Sequence, residues 1–102
     1  MVKMEKYYLE KLFLKIQKQK NQSLEKSYTA KLLQNPNILS KKIGEESAEV
    51  IVEILNKDKM KLINESSDLL YHLMVSWIYL DIHPQEIWNE LKRREKVQSN
   101  NE

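Results

Sequence analysis

The strongest chemical signal in the sequence is a group of carboxylates in the segment KKIGEESAEVIVE, residues 41–53. Glu45, Glu46, Glu49 and Glu53 fall within about three turns of the helix that this segment predicts. Like charges at helical spacing repel by a few tenths of a kcal/mol per pair. A chain that tolerates this repulsion is expected to have a partner that relieves it.

The four glutamates occupy one side of the predicted helix. With about 100° per residue, Glu49, Glu53 and Glu46 lie roughly 40°, 80° and 100° from Glu45. Apolar residues take most of the remaining circumference. A helix that is apolar nearly all round is typical of a buried position, so we expect the glutamates to face a cleft and not open solvent.

A second acidic pair lies inside the next apolar segment, ESSDLLYHLMV. Glu65 and Asp68 share one polar stripe with His72, Ser76 and Tyr79. Helices joined by a short turn pack antiparallel, so the two acidic stripes can face each other. His72 follows Asp68 by four residues and is expected to hydrogen-bond it in the core, with a ligand role as the weaker alternative.

The acidic stripes are expected to bind a hard divalent metal ion. Buried carboxylates are costly, so they pair, become protonated or coordinate metal. Lys42 lies on the glutamate side of its helix, but one lysine cannot offset this many acids. All-oxygen ligation favours Mg²⁺ or Mn²⁺ over zinc or copper, and the Glu-x-x-His pairs of di-iron bundles are absent. The alternative is an ordinary solvated acidic face, and the second acidic pair argues against it.

The composition predicts one soluble globular domain. The chain has 102 residues, of which 41% are hydrophobic and 31% charged, with a net charge of +2 and no cysteine. Disulfides, thiolate zinc sites and cysteine nucleophiles are therefore excluded. The balanced charge gives no argument for a nucleic-acid partner. No signal peptide or membrane-spanning run is visible, so we expect a cytoplasmic protein without a membrane partner.

Helical periodicity and the scarcity of glycine and proline predict an all-α fold. Asn35 and Asp58 are expected to cap helices, and Pro84 to open the last helix. The single domain covers 1–102, with a charged tail over about 95–102, and the chain is expected to fray from Arg93 onward. The expected helices span about 4–20, 28–34, 36–56, 58–81 and from 84 on, with a loop over 21–27.

Three segments together resemble one enzyme family, and they cover nearly the whole chain. SYTAKLL, KKIGEESAEVIVE and ESSDLLYHLMV resemble the phosphoribosyl-ATP pyrophosphohydrolases of histidine biosynthesis, which belong to the MazG-type all-α nucleoside triphosphate pyrophosphohydrolases. The shared signature E-E-x-x-E, then E-x-x-D, reads here as Glu45, Glu46 and Glu49, then Glu65 and Asp68. The resemblance implies a bundle of four to five helices that forms a homodimer.

The resemblance also implies a reaction and the residues that carry it. The reaction is the hydrolysis of phosphoribosyl-ATP to phosphoribosyl-AMP and pyrophosphate with Mg²⁺, for which Mn²⁺ can substitute. The implied metal ligands are Glu46, Glu49, Glu65 and Asp68. Glu45 is implied as a second-metal ligand or as the base that activates water, which makes Glu45 and Glu46 the catalytic pair.

Residues that would hold the nucleotide follow from the same resemblance. Lys31, Lys41 and Lys42 are candidates to bind phosphate oxygens as point charges, and solvated surface lysines are the alternative for each. Tyr28 and Thr29 are candidates to line the nucleotide site.

Two other functions share parts of this pattern. A related housecleaning enzyme that hydrolyses noncanonical (d)NTPs would use the same carboxylates with a different base and ribose pocket. A helical interaction module without catalysis would have a solvated acidic stripe and a stability that Mg²⁺ leaves unchanged. Substrate profiling separates the first, and metal binding the second.

Overall fold

Helices make up most of the computed structural model, which describes residues 7–101, with side chains through residue 98. No strand occurs over this range, so the prediction of an all-α fold with four to five helices is confirmed. A 3₁₀ turn over Lys18–Asn21 follows the first helix. The α-helices are α1 (Tyr8–Gln17), α2 (Tyr28–Gln34), α3 (Pro36–Asn56), α4 (Lys59–Tyr79) and α5 (Pro84–Asn101).

Side-chain caps fix where three of these helices begin. The Ser27 hydroxyl accepts from the Ala30 amide at 3.1 Å and starts α2. The Asp58 carboxylate accepts from the Lys61 amide at 3.0 Å, so the predicted cap of α4 is confirmed. At α5, the His83 ring accepts from the Gln85 amide at 3.0 Å, which satisfies an amide that the helix leaves free.

Asn35 is the N-cap residue of α3, as predicted, but its side chain makes no capping hydrogen bond to that helix. Its amide nitrogen instead donates to the Lys31 carbonyl at 2.8 Å, at the end of α2. The first amides of α3 bond to the main-chain oxygen of Asn35, with Ile38 at 2.9 Å. Asn35 alone separates α2 from α3, so it ends one helix and starts the next. Its side chain satisfies a carbonyl group at the end of α2.

A tight turn joins α3 and α4 into an antiparallel hairpin. Lys57 adopts a left-handed conformation, with φ at 55°, and the Asp58 amide reaches back to the Glu53 carbonyl at 3.2 Å. This is the usual geometry of a helix C-terminus, although glycine is the common residue there. The left-handed lysine costs roughly 1–2 kcal/mol, and the hairpin that it closes places the two acidic stripes side by side.

The hydrophobic core lies at one end of this hairpin. Buried residues from α1, α2, the start of α3 and the second half of α4 form one cluster. Its members are Phe13, Ile16, Leu32, Leu39, Met74, Val75 and Ile78.

The prediction that α3 is buried nearly all round is wrong for the single chain. Within α3 the buried residues are Leu39 and Glu46, whereas Ile51, Ile54 and Leu55 are exposed. The reason is the position of the core: α3 contributes Leu39 and Ile43 to it, both from the first half of the helix, and no residue of its second half belongs to the cluster.

The two ends of the chain also depart from expectation. The first helix changes to 3₁₀ geometry at Lys18, before its predicted end at residue 20, and its predicted start at Met4 lies outside the described residues. In α5 the helix continues past Arg93 to Asn101 and includes most of the predicted tail. The Trp88 indole ties α5 to α1 by donating to the Glu10 carboxylate at 2.7 Å. None of the described helices is both long and apolar enough to cross a membrane.

Candidate active site

The hairpin brings one carboxylate of α3 into contact with one of α4. Hydrogen bonding with the Glu65 carboxyl group and the charge of Glu65 raise the pKa of Glu49, and burial and the charges of Glu46 and Glu45 add to the effect. Two carboxyl groups this close do not both ionise readily without a cation. The Asn64 amide also donates to Glu65, at 3.3 Å.

Glu46 lies one turn earlier on α3 and is buried, with 8% of its surface exposed. Its Oε1 atom is 2.7 Å from Nδ1 of His72, which is also buried. That nitrogen aims its hydrogen at the Asp68 main-chain oxygen, 2.9 Å away, so the Glu46 oxygen has close contact without a well-directed hydrogen bond. The expected bond between His72 and Asp68 therefore exists, but to the carbonyl and not to the carboxylate.

Three carboxylate oxygens of the hairpin are buried and have no hydrogen-bond partner among the described residues. They belong to Glu46, Glu53 and Glu65. A buried carboxylate oxygen without a donor is costly, and a hard cation would satisfy it. The donor set is all oxygen, which fits Mg²⁺ or Mn²⁺ and not a soft metal.

The carboxylates are not, however, gathered into a finished ligand set. Over residues 7–101, no three His, Asp or Glu side chains converge closely enough to hold an ion. Glu49 and Glu65 meet, while Glu46 turns toward His72 and Asp68 is exposed.

The remaining candidates lie on the rim of the hairpin. Glu45 is exposed and pairs with Lys42 across 3.9 Å, and such a solvated pair contributes little to stability. Lys31 on α2 and Lys41 on α3 are exposed. The structure thus places Glu45 and Lys42 together and leaves the other two lysines at the surface.

The first turn of α2 lies against α4 through hydroxyl groups. The Tyr28 hydroxyl is 3.0 Å from Nε2 of His72, and its ring stacks on Tyr71 with centroids 6.2 Å apart. Thr29 is buried and shares a short hydrogen bond with the Tyr71 hydroxyl. Burial and the negative charges of Glu46, Asp68 and Glu45 raise the pKa of Tyr28.

Two residues of this arrangement were missed from the sequence. Tyr71 is not among the candidates drawn from the sequence, yet it contacts both α2 candidates, Tyr28 and Thr29. Glu53 was noted in the acidic stripe but not assigned to the site, although one of its oxygens is buried and unpaired among the described residues. Its position one turn after Glu49 was the available signal.

The fold and the facing acids define a class: an all-α protein whose polar site lies between two antiparallel helices, as in bundles that build sites from facing side chains. A sequence model of the family described as Phosphoribosyl-ATP pyrophosphohydrolase matches residues 9–95. The chain belongs to this family, and the resemblance drawn from the sequence is confirmed.

Curated relatives agree with this assignment. The chain is 38% identical over 88 residues to a protein of Gluconobacter oxydans named phosphoribosyl-ATP pyrophosphatase, with 85% of this chain and 66% of that protein aligned. The protein of the same name from Azospirillum brasilense is 40% identical, with 85% and 79% aligned. The one from Paramagnetospirillum magneticum is 41% identical, with 84% and 80% aligned.

Proposed function

We propose that this chain hydrolyses phosphoribosyl-ATP to phosphoribosyl-AMP and pyrophosphate, the second step of histidine biosynthesis. The family match over residues 9–95 carries the substrate assignment, because the carboxylates alone would suit several nucleotides. The contact between Glu49 and Glu65 across the hairpin supports a site at this place. We further propose that the enzyme works in the cytoplasm, since its substrate carries charges that do not cross a bilayer unaided.

The proposed ligands for Mg²⁺, or for Mn²⁺ in its place, are Glu46, Glu49, Glu65 and Asp68. The buried, unpaired oxygens of Glu46 and Glu65 support this choice. When bound, such an ion neutralises phosphate charge and orients the attacking water. Glu45 is exposed beside these residues, where its carboxylate can take a proton from water that reaches the site.

The substrate is proposed to lie over the rim formed by α2 and the start of α3. Lys31, Lys41 and Lys42 would hold phosphate oxygens, and Tyr28 and Thr29 would line the nucleotide site. Gly44, one residue before Glu45, supports this placement. A Cβ atom added there would meet no described atom within 4 Å, so no packing contact among residues 7–98 requires glycine at that position.

We also propose that two copies of the chain form a homodimer. The far end of the hairpin exposes large apolar side chains on the last turns of α3 and the first turns of α4. An exposed apolar patch of this kind marks an interaction surface in a small protein. The residues are Ile51, Ile54, Leu55, Met60 and Ile63.

The test of the proposed reaction is pyrophosphate release from phosphoribosyl-ATP, with and without Mg²⁺. ATP, dUTP and dCTP are assayed separately as alternative substrates. We expect metal-dependent turnover of phosphoribosyl-ATP alone. Glu49→Gln should lower turnover by at least about a hundredfold. Removing a residue that only hydrogen-bonds to a metal ligand already costs up to about that factor, and Glu49 is proposed as a ligand itself. Glu95→Gln, which changes an exposed acid on α5, is the matched control.

The alternative substrates distinguish the proposed reaction from the housecleaning activity. Turnover of the deoxynucleotides instead of phosphoribosyl-ATP would replace the proposal by the housecleaning activity. A folded protein that hydrolyses none of the four nucleotides, with or without Mg²⁺, would contradict both enzymatic assignments.

A further inference from the structure

His72 connects the acidic residues of α3 to the first turn of α2. The ring is 5% exposed, and both of its nitrogens have partners. Nδ1 is 2.7 Å from Glu46 Oε1 and 2.9 Å from the main-chain oxygen of Asp68. Nε2 is 3.0 Å from the hydroxyl of Tyr28. A single buried ring therefore contacts three different parts of the candidate site.

The chemistry of these partners determines which ring nitrogen carries a hydrogen. A carboxylate oxygen and a carbonyl oxygen both accept hydrogen bonds, so Nδ1 must be the donor. In the neutral ring Nε2 is then an acceptor, and the Tyr28 hydroxyl donates to it. Tyr28 thus favours the tautomer in which Nδ1 carries the hydrogen, directed to the Asp68 main-chain oxygen, with the Glu46 carboxylate in contact beside it.

We propose that His72 is a positioning residue for the Glu46 carboxylate, and that Tyr28 keeps His72 in the tautomer that does so. This inference rests on the proposed function, because Glu46 is a proposed metal ligand. Groups that hold a ligating side chain in place are worth about 10–100-fold in metal affinity when removed. Since both residues are buried together, the orientation of Glu46 depends on His72 before any substrate binds.

Metal binding without substrate tests the positioning role directly. The probe is Mn²⁺, with the free ion measured by electron paramagnetic resonance. His72→Asn places an amide nitrogen near the position of Nδ1 and so keeps an N–H group beside Glu46 and the Asp68 carbonyl, whereas His72→Gln places its amide near Nε2 and loses that group. We expect Asn to retain Mn²⁺ affinity within roughly threefold and Gln to lose about tenfold.

Each outcome of this comparison decides the matter. A folded His72→Gln protein that binds Mn²⁺ as tightly as the wild type overturns the positioning role and leaves the proposed hydrolysis standing. Equal losses in two folded variants overturn it as well, because a merely structural ring would give that result. A wild type that binds no Mn²⁺ overturns both this inference and the proposed metal.

A tautomer measurement on the wild-type protein requires no variant of His72 to fold. Long-range ¹H–¹⁵N correlation spectra distinguish hydrogen on Nδ1 from hydrogen on Nε2. We expect Nδ1–H at His72, and a mixture of tautomers in Tyr28→Phe. The chain has two histidines, and His83→Asn assigns the signals because asparagine is a favoured residue at the start of a helix. An Nε2–H tautomer in the wild type overturns the proposal.

Discussion

At the scale of single residues, the approach of Glu49 and Glu65 disfavours the ionised form of Glu49, whose pKa is raised. Their approach is favourable only when a proton neutralises one carboxylate or a cation lies between the two. A neutral amide at position 49 would donate to Glu65 without that requirement. The proposed metal site would account for an acid at a position where we expect glutamine to be more stable.

Glu49→Gln is expected to raise the melting temperature of the protein in EDTA and to remove its response to Mg²⁺. In the wild type, an ion at a hundredfold excess over its Kd stabilises the folded state by about 2.7 kcal/mol. Thermal unfolding followed by circular dichroism, with EDTA and with Mg²⁺, measures both effects. An equal gain from Mg²⁺ in the variant and the wild type would place the ion elsewhere.

The sequence indicates which acids share one side of a helix, but not which residues of other helices contact the proposed site. Spacing along one helix is enough to align Glu65 with Asp68, because the period of the helix is fixed. The link from Tyr71 to Thr29 depends on how α2 packs against α4, and no local pattern reports that contact. Polar contacts between residues far apart in the sequence are therefore identified from the structure and not from the sequence pattern.

At the scale of helices, the sequence predicts interactions within one helix better than interactions that depend on a neighbouring helix. Asp58 caps α4 as expected, since its carboxylate needs only the next turn to find a donor. Asn35 occupies the N-cap position of α3 as expected, but its side chain bonds to the Lys31 carbonyl, because α2 ends beside it. The exposure of Ile51 on α3 shows the same limit: a helical wheel gives the apolar side of a helix but not the elements that cover it.

The second half of α5 is expected to respond to acid through Glu90. Its carboxylate accepts from Arg93 at 2.6 Å and from Arg94 at 2.9 Å, and these bonds lower the pKa of Glu90 to about 2. A lowered pKa means that the ion pairs stabilise the helix above the ordinary value of 4.5 and are lost as the pH falls through about 2. Because the group is exposed, the effect should be small and confined to this helix.

Circular dichroism at 222 nm against pH measures this contribution. Glu90→Gln should have less helix than the wild type at neutral pH, and the difference should shrink below about pH 4.5 and vanish near 2. Glu95→Gln, one turn further along α5, is the control. A difference between Glu90→Gln and wild type that does not change with pH would mean that the ion pairs do not hold the helix.

At the scale of the whole molecule, the chain has a core at one end of the hairpin and a site along its middle. The other end carries apolar side chains that nothing in the described chain covers. A small domain buries a limited share of its surface, so pairing with a second copy is a common way to complete it. Covering this end would also make α3 as buried as its sequence pattern indicates.

Leu55→Lys is expected to convert the proposed dimer into a monomer. Leu55 is 76% exposed in the single chain, and a charge placed there would be desolvated at an interface. Sedimentation equilibrium at micromolar concentration measures the mass of the wild type and the variant. Leu24→Lys, at an exposed leucine in the loop before α2, should remain dimeric. If Leu55→Lys also stayed dimeric, the interface would lie away from the hairpin end. A monomeric wild type would contradict the proposed homodimer, and the apolar end of α3 would then need a different partner to cover it.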